Sequence, residues 1–302
     1  MVTNRILLFG GTGQVGKALQ KLALPDNWHM GVFTRPECDF MHPESIGKTI
    51  QDFGPDLVIN AAAMTGIEAC EKDQDKAQEI NFHAVANIAA QCDTVAAPLI
   101  HLSTNYVFDG RDGNTPYCPD AAMNPLNVYG QTKMLGEEAV RHGMYWHVIL
   151  RTSLIFSAEG ENILTRTLRQ IDTQNEVSAV LDQIASPTSA AAVAEAVVVV
   201  ANAIMDGKGN GFGTFHVCGE PAVTRFDFLQ AIMEAYAPLT DRRPKLTPVS
   251  AAEIPDRVPR PLYSALNGDK ARNVYGIAPR PWREDLVKAI EDYAKERVHA
   301  DR

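Results

Sequence analysis

A glycine-rich turn near the N-terminus limits the fold of this chain more than any other stretch. The apolar run Ile6–Phe9 has the length of a buried strand and stops at Gly10-Gly11-Thr12-Gly13-Gln14-Val15-Gly16, where a helical pattern begins. The backbone of such a turn can approach a pyrophosphate, because the helix N-terminus offers free N–H groups and the positive end of its dipole. The glycine spacing is GxxGxxG, and an ordinary βα turn is the alternative interpretation. We predict a dinucleotide site that uses Gly10, Thr12, Gly13, Gln14 and Val15.

Apolar strands and helical patterns alternate through the first half of the chain. Strands are predicted at residues 30–33, 56–60, 98–104 and 146–151, and a helix at 79–91. This alternation indicates an α/β fold with a Rossmann-like, doubly wound parallel sheet. We predict a dinucleotide-binding domain over residues 1–155 and a smaller, mixed α/β substrate-binding lobe over most of 156–302, with some segments returning to the first domain. A Pro-rich stretch at 244–261 is expected to be an irregular loop.

The ends of the second and third predicted strands bear on the cofactor. An NAD-selective site usually has an acid at the end of the second strand, whereas this chain has Thr34-Arg35-Pro36. Arg35 could pair with the 2′-phosphate of NADPH or be an ordinary solvated arginine, so NADPH is favoured and NADH stays possible. Asp39 and Phe40 follow where a loop would meet the adenine. Small residues that leave room for a cofactor end the third strand, namely Ala61, Ala62 and Ala63.

Charge and cysteine content exclude several kinds of partner. The 302-residue chain has a formal net charge of −9, which gives no general attraction for nucleic acid or an anionic membrane. Its five cysteines show no CxxC spacing, as expected for reduced thiols in the cytoplasm, and no metal site is predicted. The apolar segment 190–205 is shorter than the ~20 residues that a membrane span needs, so a buried helix is expected there. No signal peptide is expected, and the chain is expected to be a monomer or a homodimer.

The chemistry is predicted from a strand end and the helix that follows it. Tyr129 and Lys133 are four residues apart and so share one face of a helix, and Ser103-Thr104 ends the preceding strand. Hydride transfer to a ketone leaves an alkoxide that must be protonated. A nearby ammonium and the cofactor's positive charge would lower the pKa of a tyrosine from about 10. We predict that Tyr129 donates the proton, that Thr104 orients the carbonyl oxygen, and that Lys133 supports the phenolate. Ser103, Tyr129 and Lys133 are also expected to contact the cofactor.

Several motifs follow one another in order along nearly the whole chain. They include Leu7-Leu8-Phe9-Gly10 with Thr12-Gly13-Gln14-Val15-Gly16, Val58-Ile59-Asn60-Ala61-Ala62-Ala63, Leu102-Ser103-Thr104 with Tyr106-Val107-Phe108-Asp109-Gly110, Asn124-Pro125-Leu126-Asn127-Val128-Tyr129-Gly130, Arg151-Thr152-Ser153 and Arg260-Pro261. Together they resemble the extended short-chain dehydrogenases/reductases and, within them, the dTDP-4-dehydrorhamnose reductase family. The resemblance implies NADPH-dependent reduction of the C4 ketone of a nucleotide-linked 6-deoxy-4-keto sugar, most closely the step from dTDP-4-dehydrorhamnose to dTDP-L-rhamnose.

The resemblance also implies a sugar pocket, in which this chain departs from the family pattern. The family usually has Ser-Thr-Asp-Tyr where this chain has Asn105, and a Trp after Arg-Thr-Ser where it has Leu154. Sugar 4,6-dehydratases carry Asp-Glu after the Thr, and without that acid and base dehydration is not expected. The predicted substrate-binding residues are Thr65, Ile67, Glu68, Thr104, Asn105, Tyr106, Leu154 and Arg260. Arg260 is placed near the diphosphate, with a solvated loop as the alternative.

Two other functions stay open at this point because of those departures. The chain could be a reductase or epimerase that acts on another nucleotide sugar. It could also be a non-catalytic, NADP-binding regulatory subunit with the same fold.

Overall fold

Strands and helices alternate through the chain. The computed structural model of the protein describes residues 3–111, 115–207 and 211–300. Within these ranges lie fourteen strands: β1 (Asn4–Phe9), β2 (Trp28–Phe33), β3 (Leu57–Asn60), β4 (Leu99–Thr104), β5 (His147–Thr152), β6 (Ile155–Phe156), β7 (Glu176–Val180), β8 (Ile184–Ala185), β9 (Thr188–Ser189), β10 (Gly213–His216), β11 (Gly219–Glu220), β12 (Val223–Thr224), β13 (Lys245–Val249) and β14 (Arg280–Pro281).

The same ranges contain eleven α-helices. They are α1 (Gln14–Lys21), α2 (Pro43–Phe53), α3 (Ile67–Lys72), α4 (Gln74–Gln78), α5 (Ala84–Thr94), α6 (Val128–Gly143), α7 (Ile163–Thr173), α8 (Ala190–Met205), α9 (Arg225–Tyr236), α10 (Asp269–Tyr275) and α11 (Trp282–Ala300). A π-helical turn, Glu79–His83, joins α4 to α5, so the predicted helix at 79–91 begins in a wider turn. Short 3-10 turns lie at Asn105–Val107, Ala237–Leu239 and Ala251–Glu253.

Six parallel strands form the main sheet, in the order β10-β5-β4-β3-β1-β2. At the carboxyl end of β1, Phe9 lies between Phe33 of β2 and Asn60 of β3. Thr104 of β4 lies beside Thr152 of β5. The order of the strands reverses between β3 and β1, and doubly wound sheets bind ligands at such a reversal. The predicted Rossmann-like α/β fold is confirmed.

The central strands are apolar along their whole length because helices cover both faces of the sheet. Ile6 and Leu8 of β1 pack on one face with side chains of α1 and α8. Leu7 and Phe9 point to the opposite face, where α2, α5 and α6 cover them. This alternation is the period of two that a strand imposes on its side chains. Each fully buried aliphatic side chain stabilises the fold by about 1.5–3 kcal/mol.

The helix α8 is apolar and buried, with the bounds that the sequence predicts. Its Val193, Val197 and Val200 side chains pack on the main sheet. β10 is an edge strand of the same sheet, so both segments from the second half of the chain lie with the first. The division at residue 155 itself stays a prediction. No helix within the described ranges is both long and apolar enough to cross a membrane.

α10 packs against β10 and α8, and most of the remaining second-half elements form a smaller layer around α7, α9 and α11. Trp282 is buried there against Phe228, with their rings nearly perpendicular and their centroids 5.3 Å apart. Thr224 caps α9 in a capping box with Asp227, as its Thr-x-x-Asp pattern predicts. The expected irregular loop at 244–261 is wrong at its start, because β13 pairs in parallel with β7. Pro248 fits in β13 because that strand has a neighbour on one side only, and an edge strand tolerates a missing N–H. The run from Gly207 to Gly213, whose glycines predict a turn, lies partly outside the described residues.

We expect Trp282→Ala to lower the free energy of unfolding by about 3–5 kcal/mol. The indole is 1% exposed, and its Nε1–H donates to the Pro221 carbonyl at 2.8 Å. Urea unfolding followed by circular dichroism measures the change. Trp146→Ala is the matched control, because Trp146 is 58% exposed and should cost far less. Equal losses in the two variants would contradict the packing described here.

Candidate active site

Two cavities open at the carboxyl edge of the main sheet and meet there. The larger has a volume of about 680 Å³ and lies over the ends of β4 and β5. The smaller, about 620 Å³, lies over the ends of β1, β2 and β3. Four residues line both cavities, namely Thr12, Gly13, Ala61 and Ala63. The two cavities therefore form one continuous groove across the point where the strand order reverses.

Every site residue predicted from the sequence lines this groove. The larger cavity holds Gln14, Val15, Thr65, Ile67, Glu68, Ser103, Thr104, Asn105, Tyr106, Tyr129, Lys133, Leu154 and Arg260 besides the four shared residues. The smaller cavity holds Gly10, Arg35, Asp39, Phe40 and Ala62 besides the same four. These positions agree with the predicted contacts, and the individual roles stay predictions.

The glycine turn after β1 leaves room for a ligand close to the backbone. Gly10 has φ +86°, and a Cβ on it would lie 2.5 Å from the Ala62 nitrogen, so a side chain at this position would be excluded. Gly13 is the N-cap of α1 and supplies no capping side chain, which leaves the first amides of the helix free. Free amides at a helix N-terminus that line a groove fit the pyrophosphate of a dinucleotide.

The end of β2 has an acid that the sequence analysis overlooked. The Glu37 carboxylate accepts hydrogen bonds from the Thr34 backbone N–H at 2.9 Å and from the Thr34 hydroxyl. These bonds hold the pKa of Glu37 below its ordinary value. Arg35 is exposed beside it, and Phe40 is buried edge-on against Phe9 with centroids 5.4 Å apart. The sequence signal for this contact is an acid three residues after the threonine that follows β2.

The start of α6 brings Tyr129 and Lys133 to the end of β4. The Asn127 side chain caps the helix by accepting from the Gly130 N–H at 2.9 Å. A side chain on Gly130 would collide with the Tyr106 carbonyl oxygen, so glycine allows the helix to touch the segment after β4. The rings of Tyr106 and Tyr129 meet edge-on at 5.8 Å. Tyr129 therefore meets Thr104 at the end of β4, and Lys133 lines the same cavity one turn further along α6.

The chain's own groups shift the pKa of Tyr129 upward, and the predicted lowering, which includes the positive charge of the bound cofactor, stays a prediction. Burial raises the pKa of Tyr129 to about 12, and the hydrogen bond with Thr104 acts in the opposite direction. Burial lowers the pKa of Lys133 to about 8, against the opposing effect of Glu137. A raised pKa keeps Tyr129 protonated at neutral pH, which is the state that a proton donor needs.

The Lys133 ammonium lies among groups that the sequence analysis did not include in the site. Lys133 Nζ donates to the Leu102 carbonyl at 2.7 Å and lies 3.2 Å from His101 Nε2. His101 is fully buried in β4, and its Nδ1 lies 3.2 Å from Asn60 Nδ2. A histidine inside an apolar strand, two residues before the strand-end serine, was the signal for this contact.

Arginine side chains gather around Glu68 and Arg257 at one end of the larger cavity. Arg260 was predicted there, and Arg166, Arg225 and Arg257 were missed because they come from three separate segments. Arg260 forms an ion pair with Glu68. Burial, together with Arg260 and Arg225, lowers the pKa of Arg257. This end of the groove can bind an anionic group.

Three buried polar atoms of the larger cavity have no hydrogen-bond partner within the described part of the chain. They are Oγ1 of Thr152, Nη1 of Arg257 and Nε of Arg260. An unsatisfied buried polar group costs about 1–3 kcal/mol, so a ligand that binds these atoms would recover that cost. The cavity therefore has the features of a binding site for a polar molecule.

Comparison with known proteins identifies the family. Residues 4–295 match the model of the RmlD substrate binding domain. The chain is 34% identical to the dTDP-4-dehydrorhamnose reductase of Sinorhizobium fredii, over 95% of this chain and 96% of that protein. It is 32% identical to the dTDP-4-dehydrorhamnose reductase of Escherichia coli, over 95% and 97% of the two chains. The chain belongs to this reductase family.

Solved structures of the reductase family have the same fold over almost their whole length. The enzyme from Clostridium acetobutylicum superposes with a TM-score of 0.87 at 30% identity, over 95% of this chain and 98% of that one. The enzyme from Bacillus anthracis, solved in complex with NADP, gives 0.86 at 29% identity, over 96% and 100%. A UDP-glucose 4-epimerase from Thermus thermophilus, at 17% identity, shares the fold. The predicted family resemblance is confirmed.

Asn105, one of the two departures from the reductase family's pattern, is bound within the protein. It is buried, and its Nδ2 donates to Ser264 Oγ at 2.8 Å while its Oδ1 accepts from the Thr104 hydroxyl at 3.3 Å. Leu154 also lines the cavity and has φ +43°, a backbone conformation that is unusual for a branched residue. No grouping of His, Cys, Asp or Glu that could hold a metal occurs among the residues that the structure describes.

We expect Glu137→Gln to destabilise the protein by about 3–5 kcal/mol at pH 7. The fully buried carboxylate accepts from Ser103 Oγ at 2.5 Å and from Arg151 Nε at 2.8 Å. Burial alone would raise the pKa of Glu137, but these hydrogen bonds and the charges of Arg151 and Arg141 hold it below its ordinary value. A glutamate in the unfolded chain has a pKa of about 4.3, and above that pH the stabilising effect of Glu137 is complete. The effect is lost as the pH falls through the lower pKa that Glu137 has in the folded protein.

Urea midpoints measured from pH 7 down to pH 3 test this expectation. The gap in unfolding free energy between the wild type and Glu137→Gln should narrow below about pH 4.3, because the unfolded chain then takes up a proton at Glu137 that the folded carboxyl resists. Glu138→Gln, at the next position of α6 and only partly buried, is the control and should have a small effect. A gap that does not change with pH would contradict the ion pair.

Proposed function

We propose that the protein reduces the C4 ketone of a nucleotide-linked 6-deoxy-4-keto sugar with NADPH, converting dTDP-4-dehydrorhamnose to dTDP-L-rhamnose. The observation that carries the proposal is that Thr104, Tyr129 and Lys133 line the larger cavity, which also holds the arginines and is continuous with the smaller cavity at the glycine turn. The reductase names of the relatives support the substrate, and the NADP complex of the Bacillus anthracis enzyme supports the cofactor.

Thr104 and Tyr129 can bind a ketone and give it a proton. NADPH, when bound along the glycine turn, supplies the hydride. Tyr129 keeps its proton at neutral pH and can donate it to the sugar oxygen. The Thr104 hydroxyl accepts from the Tyr106 N–H at 3.1 Å, which orients it at the end of β4 beside Tyr129. We infer that, when the substrate binds, the Thr104 hydroxyl turns its proton from Asn105 Oδ1 to the ketone oxygen and holds that oxygen in line for the proton of Tyr129.

The arginines at one end of the larger cavity fit the diphosphate of the substrate. Their guanidinium groups are positive at all working pH values and pair well with phosphate oxygens. Arg257 Nη1 and Arg260 Nε are buried and without partners in the described chain, so they can donate to such a ligand. Thr152 lies beside Thr104, and its Oγ1 can bind a sugar hydroxyl.

A related nucleotide sugar is the second candidate substrate, because Asn105 and Leu154 change the pocket. Leucine offers less flat surface than the usual tryptophan, and Asn105 carries no charge. A two-domain division at residue 155, a location in the cytoplasm, and a monomeric or dimeric state also stay predictions.

NADPH oxidation with a panel of 4-keto-6-deoxy sugars tests the function. The panel contains dTDP-linked and GDP-linked sugars, and we expect turnover to be fastest with dTDP-4-dehydrorhamnose. Faster turnover with another nucleotide sugar would favour the second candidate. Tight NADPH binding without turnover of any sugar would overturn the enzymatic proposal and favour a regulatory subunit.

We expect Tyr129→Phe to lower kcat by about 10²–10⁴-fold, because general acid catalysis is lost. The Kd for NADPH should change little, since the ring is kept. Stopped-flow kinetics and fluorescence titration measure the two quantities. Tyr236→Phe is the control, because this tyrosine binds Asp172 on the far side of α9 and should leave kcat unchanged. Full activity of Tyr129→Phe would reject the assigned proton donor.

We expect Arg260→Glu to raise the KM for the nucleotide sugar at least tenfold, or about 1.4 kcal/mol, by repelling the diphosphate. The KM for NADPH should change much less. Arg272→Glu, a charge reversal on the exposed part of α10, is the control. Equal sugar KM values for the wild type and Arg260→Glu would exclude Arg260 from the diphosphate site.

A further inference from the structure

Two side chains beneath Lys133 have no role in the chemistry described so far. His101, in the middle of β4, is fully buried and contacts Lys133 Nζ through Nε2 at 3.2 Å. Asn60, at the end of β3, is also fully buried and contacts His101 Nδ1 through Nδ2 at 3.2 Å. The three side chains form a row from the sheet to the active-site groove.

The orientation of Asn60 decides which imidazole nitrogen carries the proton. Asn60 Oδ1 accepts from the Ala62 backbone N–H at 3.0 Å, so the amide cannot turn without placing two donors together. Its NH2 group therefore faces the ring and donates to His101 Nδ1. Burial and the charge of Lys133 hold the pKa of His101 well below its ordinary value, so the ring is neutral. A neutral ring that accepts at Nδ1 has its proton on Nε2.

A proton on Nε2 favours the amine of Lys133 over its ammonium and so lowers the pKa of Lys133. The Nε2–H can donate to Nζ only if Nζ has a lone pair, which the amine has and the ammonium lacks. The Leu102 carbonyl, 2.7 Å from Nζ, accepts one of the two N–H groups of that amine. The other N–H stays free to face the groove. Burial acts in the same direction and lowers the pKa of Lys133 to about 8.

We propose that Asn60 and His101 are positioning residues that stabilise the neutral amine of Lys133, so that Nζ loses and regains one proton in each turnover. The inference deepens the proposed reductase function and rests on it. Asn60 and His101 touch neither substrate nor cofactor, and they act through Lys133.

The protons of the reaction balance with this assignment. Reduction of the ketone consumes one hydride and one proton, and Tyr129 gives its Oη proton to the sugar oxygen. The Tyr129 phenolate then regains a proton at the expense of the Lys133 ammonium, which lines the same cavity. Nζ is left as the amine, which accepts from His101 Nε2–H, and solvent restores the ammonium before the next turnover. The only reductant is the hydride donor of the proposed reaction.

Other charged groups near Lys133 act with or against the pair. Glu137 on α6 favours the ammonium, and its carboxylate is also bound by Ser103, Arg151 and Arg141. Arg141 of α6 and His147 of β5 act with Lys133 to lower the pKa of His101. Tyr106 and Cys70 act on Tyr129 and raise its pKa. The Asn60 and His101 variants below leave all of these groups in place. Asn60→Asp adds a charge that itself raises the pKa of Lys133, so the uncharged His101→Gln decides whether the tautomer matters.

The tautomer of His101 can be measured without substrate or cofactor. Long-range proton–nitrogen spectra of the full chain labelled with ¹⁵N-histidine distinguish Nε2–H from Nδ1–H, and His101→Gln assigns the signal by its loss. We expect the Nε2–H form in the wild type. The Nδ1–H form would overturn the proposal, whether or not the chain reduces a sugar.

Asn60→Asp should reverse the arrangement. The introduced carboxylate accepts from Nδ1–H, so Nε2 becomes an acceptor and favours the ammonium of Lys133. We expect the Lys133 titration to move upward by at least one pH unit, or tenfold in proton affinity. Carbon spectra of ¹³C-lysine protein measure it, with Lys133→Met for assignment. The alkaline limb of kcat, expected near pH 8 in the wild type, should move by the same amount.

A second variant and a control complete the test. His101→Gln lets an amide oxygen turn toward Nζ and should also move the Lys133 titration upward, which covers the case that Asn60→Asp does not fold. His147→Gln removes another buried histidine, bound to the Met144 carbonyl at the far end of β5, and should not move it. A Lys133 midpoint unchanged in the folded variants would overturn the proposal. A wild type without turnover would instead overturn the reductase function, since the spectra do not depend on it.

Discussion

One buried carboxylate fixes the geometry of the whole site. Glu137 accepts from Ser103 at the end of β4 and from Arg151 in β5, and so it joins α6 to both strands. A charge removed from water is stable only when it is fully paired, so these elements cannot move apart without exposing it. Because Lys133 lies one turn and Tyr129 two turns before Glu137 on the same helix, their distance from the strand end is set by this pair.

The sequence predicts the parts of the structure that depend on local patterns. β1, β3, β4 and β5 are apolar runs because both of their faces are covered, and the glycine turn and the four-residue spacing of Tyr129 and Lys133 are equally local. β13 was missed because Pro248 argues against a strand unless its edge position is known. His101 and Arg225 were missed because their importance comes from contacts with segments distant in the chain. The direction of the Tyr129 pKa shift depends on burial, which no short motif reports.

The departures from the family pattern acquire a structural meaning once the contacts are known. Asn105 joins the end of β4 to Ser264, and an amide can do this because it donates to the serine while accepting from Thr104. A carboxylate has no proton to donate at neutral pH, so it would hold the serine differently. The change at this position therefore alters how two segments of the pocket are held together as well as the charge that it presents.

The ion pair between Arg260 and Glu68 implies a site that is ordered before its ligand arrives. A long, free arginine would lose about 1.5–2 kcal/mol of rotamer entropy when a diphosphate immobilised it. Here Glu68 already holds the guanidinium, so folding and not binding bears that loss. The incoming phosphate then takes the place of the Glu68 carboxylate. Its affinity reflects the difference in free energy between the arginine–phosphate pair and the arginine–carboxylate pair. Selectivity for dianions over single carboxylates follows, because a weak anion gains nothing by the exchange.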